Sequence, residues 1–295
     1  MRQKKRAVSG RRKRKLYNIL IVLIFIAGVA VLTYPAASNL MNQFQQDKVV
    51  SGYKEAVGGR SLEELAQIRA QAQRYNEDLL KDEIIVDPFN QVKEKKAGIR
   101  YYETLNPQNN GVMGTIRIPS IDVALPIYHG TDEDVLQKAI GHLEQTSLPI
   151  GGAGTHAVIS GHRGLPSAKL FTDLNLVAIG DVFYIDVLDE TLAYKVDQIK
   201  TVEPNELEEL AIIAGEDHVT LVTCTPYAIN SHRLLVRGTR IPYDEVGLLQ
   251  DNPQAQEEHY DFRPYIAAGI VAAVVLVILI LMIIRRRKTG RREKR

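Results

Sequence analysis

Two uncharged apolar runs, one near each end of the chain, constrain its fold more than any other feature. From Tyr17 to Tyr34, 18 residues include only Asn18 and Thr33 as strongly polar side chains, which is roughly 27 Å as a helix. From Tyr265 to Ile284, 20 residues carry no polar side chain except the tyrosine, roughly 30 Å and enough to cross a bilayer. Each run abuts a basic tail. Residues 1–16 hold nine Lys or Arg and no acid, and residues 285–295 hold eight against one Glu. Because Lys and Arg collect on the cytoplasmic side, both tails are expected inside and everything between the spans outside. The formal charge of +2 hides this division, since 20 basic residues face 34 acidic ones between the tails. The small residues Pro35-Ala36-Ala37-Ser38 leave a cleaved signal peptide as the alternative for the first run. Nucleic-acid arms are the alternative for the tails, disfavoured by their position against apolar spans.

The chain between the spans must therefore start and finish at one membrane face. Ser61-Leu62-Glu63-Glu64 has the form of a capping box, and Leu62, Leu65, Ile68, Ala72, Tyr75 and Leu79 follow at helical spacing, predicting an amphipathic helix over 62–80. Residues 84–105, with Asp87-Pro88-Phe89 and a basic, Gly-containing stretch, read as a loop or linker on local physics. From Gly111 onward, short runs rich in Val, Ile, Thr and Tyr alternate with Gly, Pro, Asn and Asp. They predict strands at 112–118, 123–127, 157–160, 182–187, 191–199, 219–224 and 234–241. Short helices are expected near Thr131, which could cap 135–140, and near Ser167 and Asn205. Many close strands with brief helices predict a mainly β fold, a closed or nearly closed barrel of about 130 residues. Residues 243–263 turn acidic and polar, as a tether would.

Within this barrel the single cysteine, Cys224, ends the alternating run Thr220-Leu221-Val222-Thr223-Cys224 and is followed by Thr225-Pro226, which stops the strand. A lone cysteine forms no intramolecular disulfide, so it is either a small buried hydrophobe or a free thiol at a strand end, where catalytic groups are often held. A nucleophilic thiol needs an imidazole to make it a thiolate. Spacing does not choose among His129, His142, His156, His162, His218, His232 and His259, although His162 shares the strand-end setting of Cys224. Arg233 is better placed. If the strands around residues 225–232 pair antiparallel, Arg233 faces Cys224 across the hairpin mouth, where a guanidinium could bind a developing oxyanion. No metal-ligand spacing and no Gly-rich phosphate loop is present.

Thr220-Leu221-Val222-Thr223-Cys224 resembles the Thr-Leu-x-Thr-Cys signature of the sortases, the membrane-anchored cysteine transpeptidases of Gram-positive bacteria. The resemblance runs over about residues 100–242 and includes Leu125-Pro126-Ile127-Tyr128-His129-Gly130 and Thr146-Ser147-Leu148-Pro149. It also includes Ser160-Gly161-His162-Arg163-Gly164-Leu165-Pro166 and Asn230-Ser231-His232-Arg233-Leu234-Leu235-Val236-Arg237-Gly238. The second span and Asp87-Pro88-Phe89, similar to the lid motif of the pilin-polymerising class C, point to that class. The resemblance implies a sortase-type closed barrel at 106–242 with a few short helices. An N-terminal helical region at 35–105 with a lid at 87–90 would precede it, and a tether at 243–263 would follow. Membrane helices at 17–34 and 264–284 and basic tails at 1–16 and 285–295 would flank the whole. It implies Cys224 as nucleophile, His162 as general acid and base, Arg233 as oxyanion stabiliser, and a lid in which Asp87 reaches Arg233 and Phe89 covers Cys224. Neither cofactor nor metal is implied. The expected substrates are pilins or surface proteins with a C-terminal Leu-Pro-x-Thr-Gly-type sorting motif, cut between Thr and Gly and passed to a lysine amine of a pilin subunit. A housekeeping sortase acting on the cell wall, a hydrolytic cysteine endopeptidase and a membrane-tethered scaffold barrel with an inert cysteine are the alternative readings.

Overall fold

A computed structural model describes residues 2–79 and 99–243 together with Gly269. The lid segment, the tether after Tyr243 and, apart from Gly269, the second apolar run lie outside the described residues. The chain divides into two units near Leu40. In the first, helix α1 (Arg2–Gly58) carries the apolar run and continues into the second unit. It is, among the described residues, the one helix long and apolar enough to cross a membrane. Ile19, Leu20, Ile21, Leu23, Ile24 and Ile26 on it are all exposed, a surface that water disfavours and lipid accepts.

The second unit is an eight-stranded closed barrel. Its strands are β1 (Val112–Ile118), β2 (Val123–His129), β3 (Ile140–His142), β4 (Thr155–Ser160), β5 (Val182–Val187), β6 (Glu190–Val202), β7 (Asp217–Thr225) and β8 (His232–Ile241). They close in the order β1-β2-β3-β4-β7-β8-β6-β5. Closure leaves no open edge for another chain to pair with. The pairs β2/β3 and β4/β7 are parallel and the rest antiparallel.

All seven predicted strands are present, several of them extended by one to three residues at an end. The eighth, β3, escapes pattern reading because three residues do not establish a period of two. Its formation also corrects the helix expected at 135–140. Helix α4 spans only Glu133–Leu136 with Asp132 at its N-cap, because Ile140 pairs with Ile127 and belongs to the sheet. The helices expected near Ser167 and Asn205 are single 3₁₀ turns at Leu174–Leu176 and Glu208–Leu210.

Barrel residues such as Ile116, Ile127, Ile159, Phe183, Val219, Leu221 and Val236 form the main core. On β7 the opposite face is covered too. Val222 packs with Leu143, Val158, Leu210 and Leu235 beneath the connection that carries Leu207 and Leu210. Double-sided burial explains why nearly all of β7 is inaccessible.

A helical layer packs on the barrel. The Tyr53 hydroxyl donates to Met113 O at 3.0 Å and accepts from Leu188 N–H at 2.9 Å, fixing the end of α1 to two barrel segments. Helix α2 (Leu62–Leu79) begins at the expected capping box, with Ser61 N–H donating to the Glu64 carboxylate at 2.9 Å and Glu64 N–H to Ser61 Oγ at 3.2 Å. Asn76 of α2 exchanges two hydrogen bonds with the Leu148 backbone, at 2.7 and 3.2 Å. Part of the stretch expected as loop up to residue 105 is a one-turn helix, α3 (Ile99–Glu103), anchored by the Tyr101 hydroxyl 2.9 Å from His142 Nδ1.

Candidate active site

The site is built where two neighbouring strand pairs end together. Strands β7 and β8 pair antiparallel, with Cys224 directly opposite Arg233. Only Pro226 to Ser231 lie between the strands, so this placement is local. The expectation that the hairpin sets the two residues face to face is met by the register. Both are buried, Cys224 with 7% and Arg233 with 8% of its surface exposed. Alternation puts the Cys224 side chain on the same face of β7 as Val222, away from the barrel interior that Leu221 fills.

His162 reaches this place by a different route. Strands β4 and β7 run parallel, with Ser160 paired to Val222. Their adjacent C-terminal ends are locked by Gly161 N–H to Val222 O at 3.1 Å and by Thr223 Oγ1 to Gly161 O at 2.7 Å. His162 stands two residues beyond Ser160, as Cys224 stands two beyond Val222. The two are therefore level at the ends of adjacent strands, which are about 4.8 Å apart. Phe171 N–H holds the His162 carbonyl at 3.2 Å.

Burial lowers the His162 pKa from the ordinary imidazole value, and the Glu133 carboxylate of α4 opposes the shift. A half-buried imidazole of this kind gives up a proton readily. Arg233 directs Nη1 to the carbonyls of Asn230 and His232, each at 3.2 Å, which orients the guanidinium at the start of β8.

The other described histidines are committed elsewhere. His156 Nδ1 faces Ala211 O at 2.9 Å and must carry the proton there, so Nε2 accepts from Thr220 Oγ1 at 2.7 Å. His142 is wholly buried between Tyr101 and Ser147 O. His129 has Gly111 O at 2.9 Å and Thr104 O at 2.7 Å from its ring nitrogens. His218 is buried with Nε2 3.1 Å from the Glu216 carboxylate. His232 pairs at the surface with Glu203 at 3.2 Å. His259, Asp87, Pro88 and Phe89 lie outside the described residues. Of the described residues, no group of three or more His, Cys, Asp or Glu side chains is arranged to hold a metal ion.

Residues 116–241 match the Sortase domain family. A sortase A of Staphylococcus aureus is 30% identical over 161 residues, covering 52% of this chain and 76% of that protein. The chain belongs to the sortase family. A sortase A of Bacillus anthracis is 22% identical over 226 residues, covering 77% of this chain and 95% of the other. Among solved structures, sortase C of Streptococcus pneumoniae is 50% identical with a TM-score of 0.62, covering 66% of this chain and 97% of its own. Sortase C-1 of Actinomyces oris is 47% identical with a TM-score of 0.57, covering 60% and 99%. These neighbours place the sortase in class C, as the sequence motifs imply. It is a cysteine transpeptidase, and sortases act on surface proteins that carry sorting motifs.

Sequence reasoning did not find the contacts that join the loop after His162 to the loop after Cys224. Arg163 Nη1 donates to Thr225 Oγ1 at 3.1 Å, and Gly164 lies against the Tyr227 ring. Arg163 stands within the Ser160–Pro166 motif, but its partner is 62 residues away and no local period connects them.

Proposed function

We propose that this sortase polymerises pilins outside the membrane, with Cys224, His162 and Arg233 as its catalytic residues. The observation that carries the reading is the register that brings Cys224, Arg233 and the strand end bearing His162 to one mouth of the barrel. The Cys224 thiolate attacks the threonine carbonyl of a Leu-Pro-x-Thr-Gly-type motif, and the oxyanion is bound by Arg233. The tetrahedral intermediate collapses, the Thr–Gly bond breaks, and His162 protonates the departing glycine amine. A thioester on Cys224 remains. A lysine amine of the next subunit then attacks it, His162 takes the proton, and an isopeptide bond replaces the thioester. The lowered pKa of the half-buried imidazole favours release of its proton to the leaving amine, and the neutral form that this leaves is the one that accepts the proton of the attacking amine.

The reading extends to parts outside the described residues. The chain spans the membrane twice, at 17–34 and 264–284, with both basic tails in the cytoplasm. Asp87 pairs with Arg233 and Phe89 covers Cys224, masking the charge and excluding water until substrate displaces the segment. The identity of the pneumococcal sortase C, whose structure was solved with pilin substrate specificity in view, supports the assignment of pilins as substrate class.

The test uses the full-length chain in detergent with a sorting-motif peptide and a lysine-containing acceptor peptide. The expected product joins the motif through its threonine to the lysine amine. Release of the free acid alone, with acceptor in excess, would defeat the transferase assignment in favour of a hydrolytic peptidase.

A further inference from the structure

The contacts between β4 and β7 hold the two strand ends together only as far as Gly161 and Thr223; the chain then leaves β4 for a loop at His162, while β7 continues through Cys224 to Thr225 before its own loop begins. The loop after Cys224 spans Pro226 to Ser231 and exposes Tyr227 and Ile229 at 56% and 71%. The loop after His162 is closed at its base by Phe171 N–H to His162 O and by Gly164 N–H to Thr172 Oγ1 at 3.1 Å. Neither set of contacts fixes one loop against the other.

The residue after His162 does so. Arg163 forks, with Nη1 donating to Thr225 Oγ1 at 3.1 Å and Nη2 to Asn175 Oδ1 at 2.8 Å. Its guanidinium carbon lies 6.0 Å from the centre of the Tyr227 ring. Beside it Gly164, at φ +77°, takes the same ring against its backbone. A Cβ there would come within 2.6 Å of the tyrosine, so only glycine permits the approach. Three contacts thus join the residues just after the imidazole to those just after the thiol.

Arg163 Nε is buried without a hydrogen-bond acceptor among the described residues. A buried donor left unmatched costs stability.

We propose that Arg163 is a positioning residue, whose fork to Thr225 and Asn175 and place over the Tyr227 ring hold His162 within proton-transfer range of Cys224. The proposal rests on the catalytic reading above. It requires a planar fork. A lysine can donate to Thr225, but it lacks the fork that reaches Asn175 at the same time.

The experiment compares Arg163→Ala, Arg163→Lys and a remote control, Arg69→Ala, in the full-length chain. Arg69 pairs with Asp189 and Glu190 at the β5–β6 turn. All three are made in an Asp87→Ala, Phe89→Ala background, so that the lid does not enter. Acyl-enzyme formation with a sorting-motif peptide gives kcat and KM, and the pH dependence of Cys224 alkylation reports the thiol–imidazole interaction. Arg163→Ala is expected to lower kcat about 10- to 100-fold with KM changed less than about twofold, because small misplacements of reacting groups have effects of this size. The midpoint of its alkylation profile should rise as the imidazole moves away. Arg163→Lys should recover part of both, and Arg69→Ala should match the background. An unchanged kcat and profile in Arg163→Ala would overturn the proposal, as would an equal loss in Arg69→Ala that follows melting temperature. If the background protein itself forms no acyl-enzyme, the catalytic reading falls and this proposal falls with it. An active background with an indifferent Arg163→Ala removes this proposal alone.

Discussion

The parallel pair β4/β7 carries a histidine at each end, and the two are treated in opposite ways. At the start, His156 lies beside His218 in register, with ring centres 5.5 Å apart, both in the interior. Both ring nitrogens of His156 are used, one donating to Ala211 O and one accepting from Thr220. Burial pushes its pKa down to about 4. At the far end, His162 stands beyond the last rung, half-buried, level with a thiol and within the field of Glu133. One residue type on one strand pair is thus deeply buried where the ladder runs and half-buried beside a thiol where it stops. On the proposed mechanism, position relative to the strand end, not the chemistry of the side chain, separates a structural histidine from the proton carrier.

Substitution should expose that contrast most strongly. His162→Ala is expected to lower acyl transfer by about 10²–10⁴-fold, the usual worth of a positioned acid–base group, while melting temperature changes little. His156→Ala should do the reverse, retaining most of the activity per folded molecule and losing about 1–3 kcal/mol of stability through the unmatched Ala211 carbonyl and Thr220 hydroxyl. Parallel activity assays and denaturant melts decide it. A large activity loss at fixed stability in His156→Ala would erase the distinction. Arg233→Ala, at the same mouth, should cost about 10²–10³-fold in kcat, as loss of an oxyanion donor does.

Acid should act on the locked histidines next. The folded-state pKa values of His156, about 4, and His142, about 3, lie below the ordinary 6.5, both chiefly through burial. Between those values and 6.5 the unfolded chain binds protons that the native state refuses, so stability rises with pH through that window and falls on acidification. From pH 7 to pH 5 each group should remove about 2 kcal/mol. A melting temperature constant over that interval would contradict the burial argument.

The smallest effect concerns access to the thiol. Asp87→Ala with Phe89→Ala should raise the rate of Cys224 alkylation severalfold without altering the fold. Equal rates in parent and variant would mean that the segment does not cover the site.

The same strand ends explain what was legible in the sequence. Cys224 and Arg233 are nine residues apart on one hairpin, so alternation and turn residues were enough to oppose them. His162 is 62 residues from Cys224 and meets it through a parallel pairing whose register no local pattern encodes, so its role came from motif resemblance. Strand β3, three residues long, was lost for want of length, and for the same reason the helix expected near Thr131 was drawn too long. The continuation of α1 to Gly58 falls in the region expected to be helical, and Val49, Tyr53 and Val57 form its apolar stripe, but the contacts of its anchor Tyr53 with distant backbone at Met113 and Leu188 have no local signature. The fork of Arg163 belongs to the same class of long-range contact.

A thioester at Cys224 is the central step of the proposed reaction. Intact-mass spectrometry of the full-length protein mixed with a sorting-motif peptide tests it directly. The predicted result is a mass increase equal to the acyl fragment ending in threonine. It should be discharged by hydroxylamine or a lysine amine and be absent from a folded Cys224→Ala variant. An adduct that persists in Cys224→Ala, or peptide turnover in that variant, would contradict the assignment of Cys224 as the nucleophile.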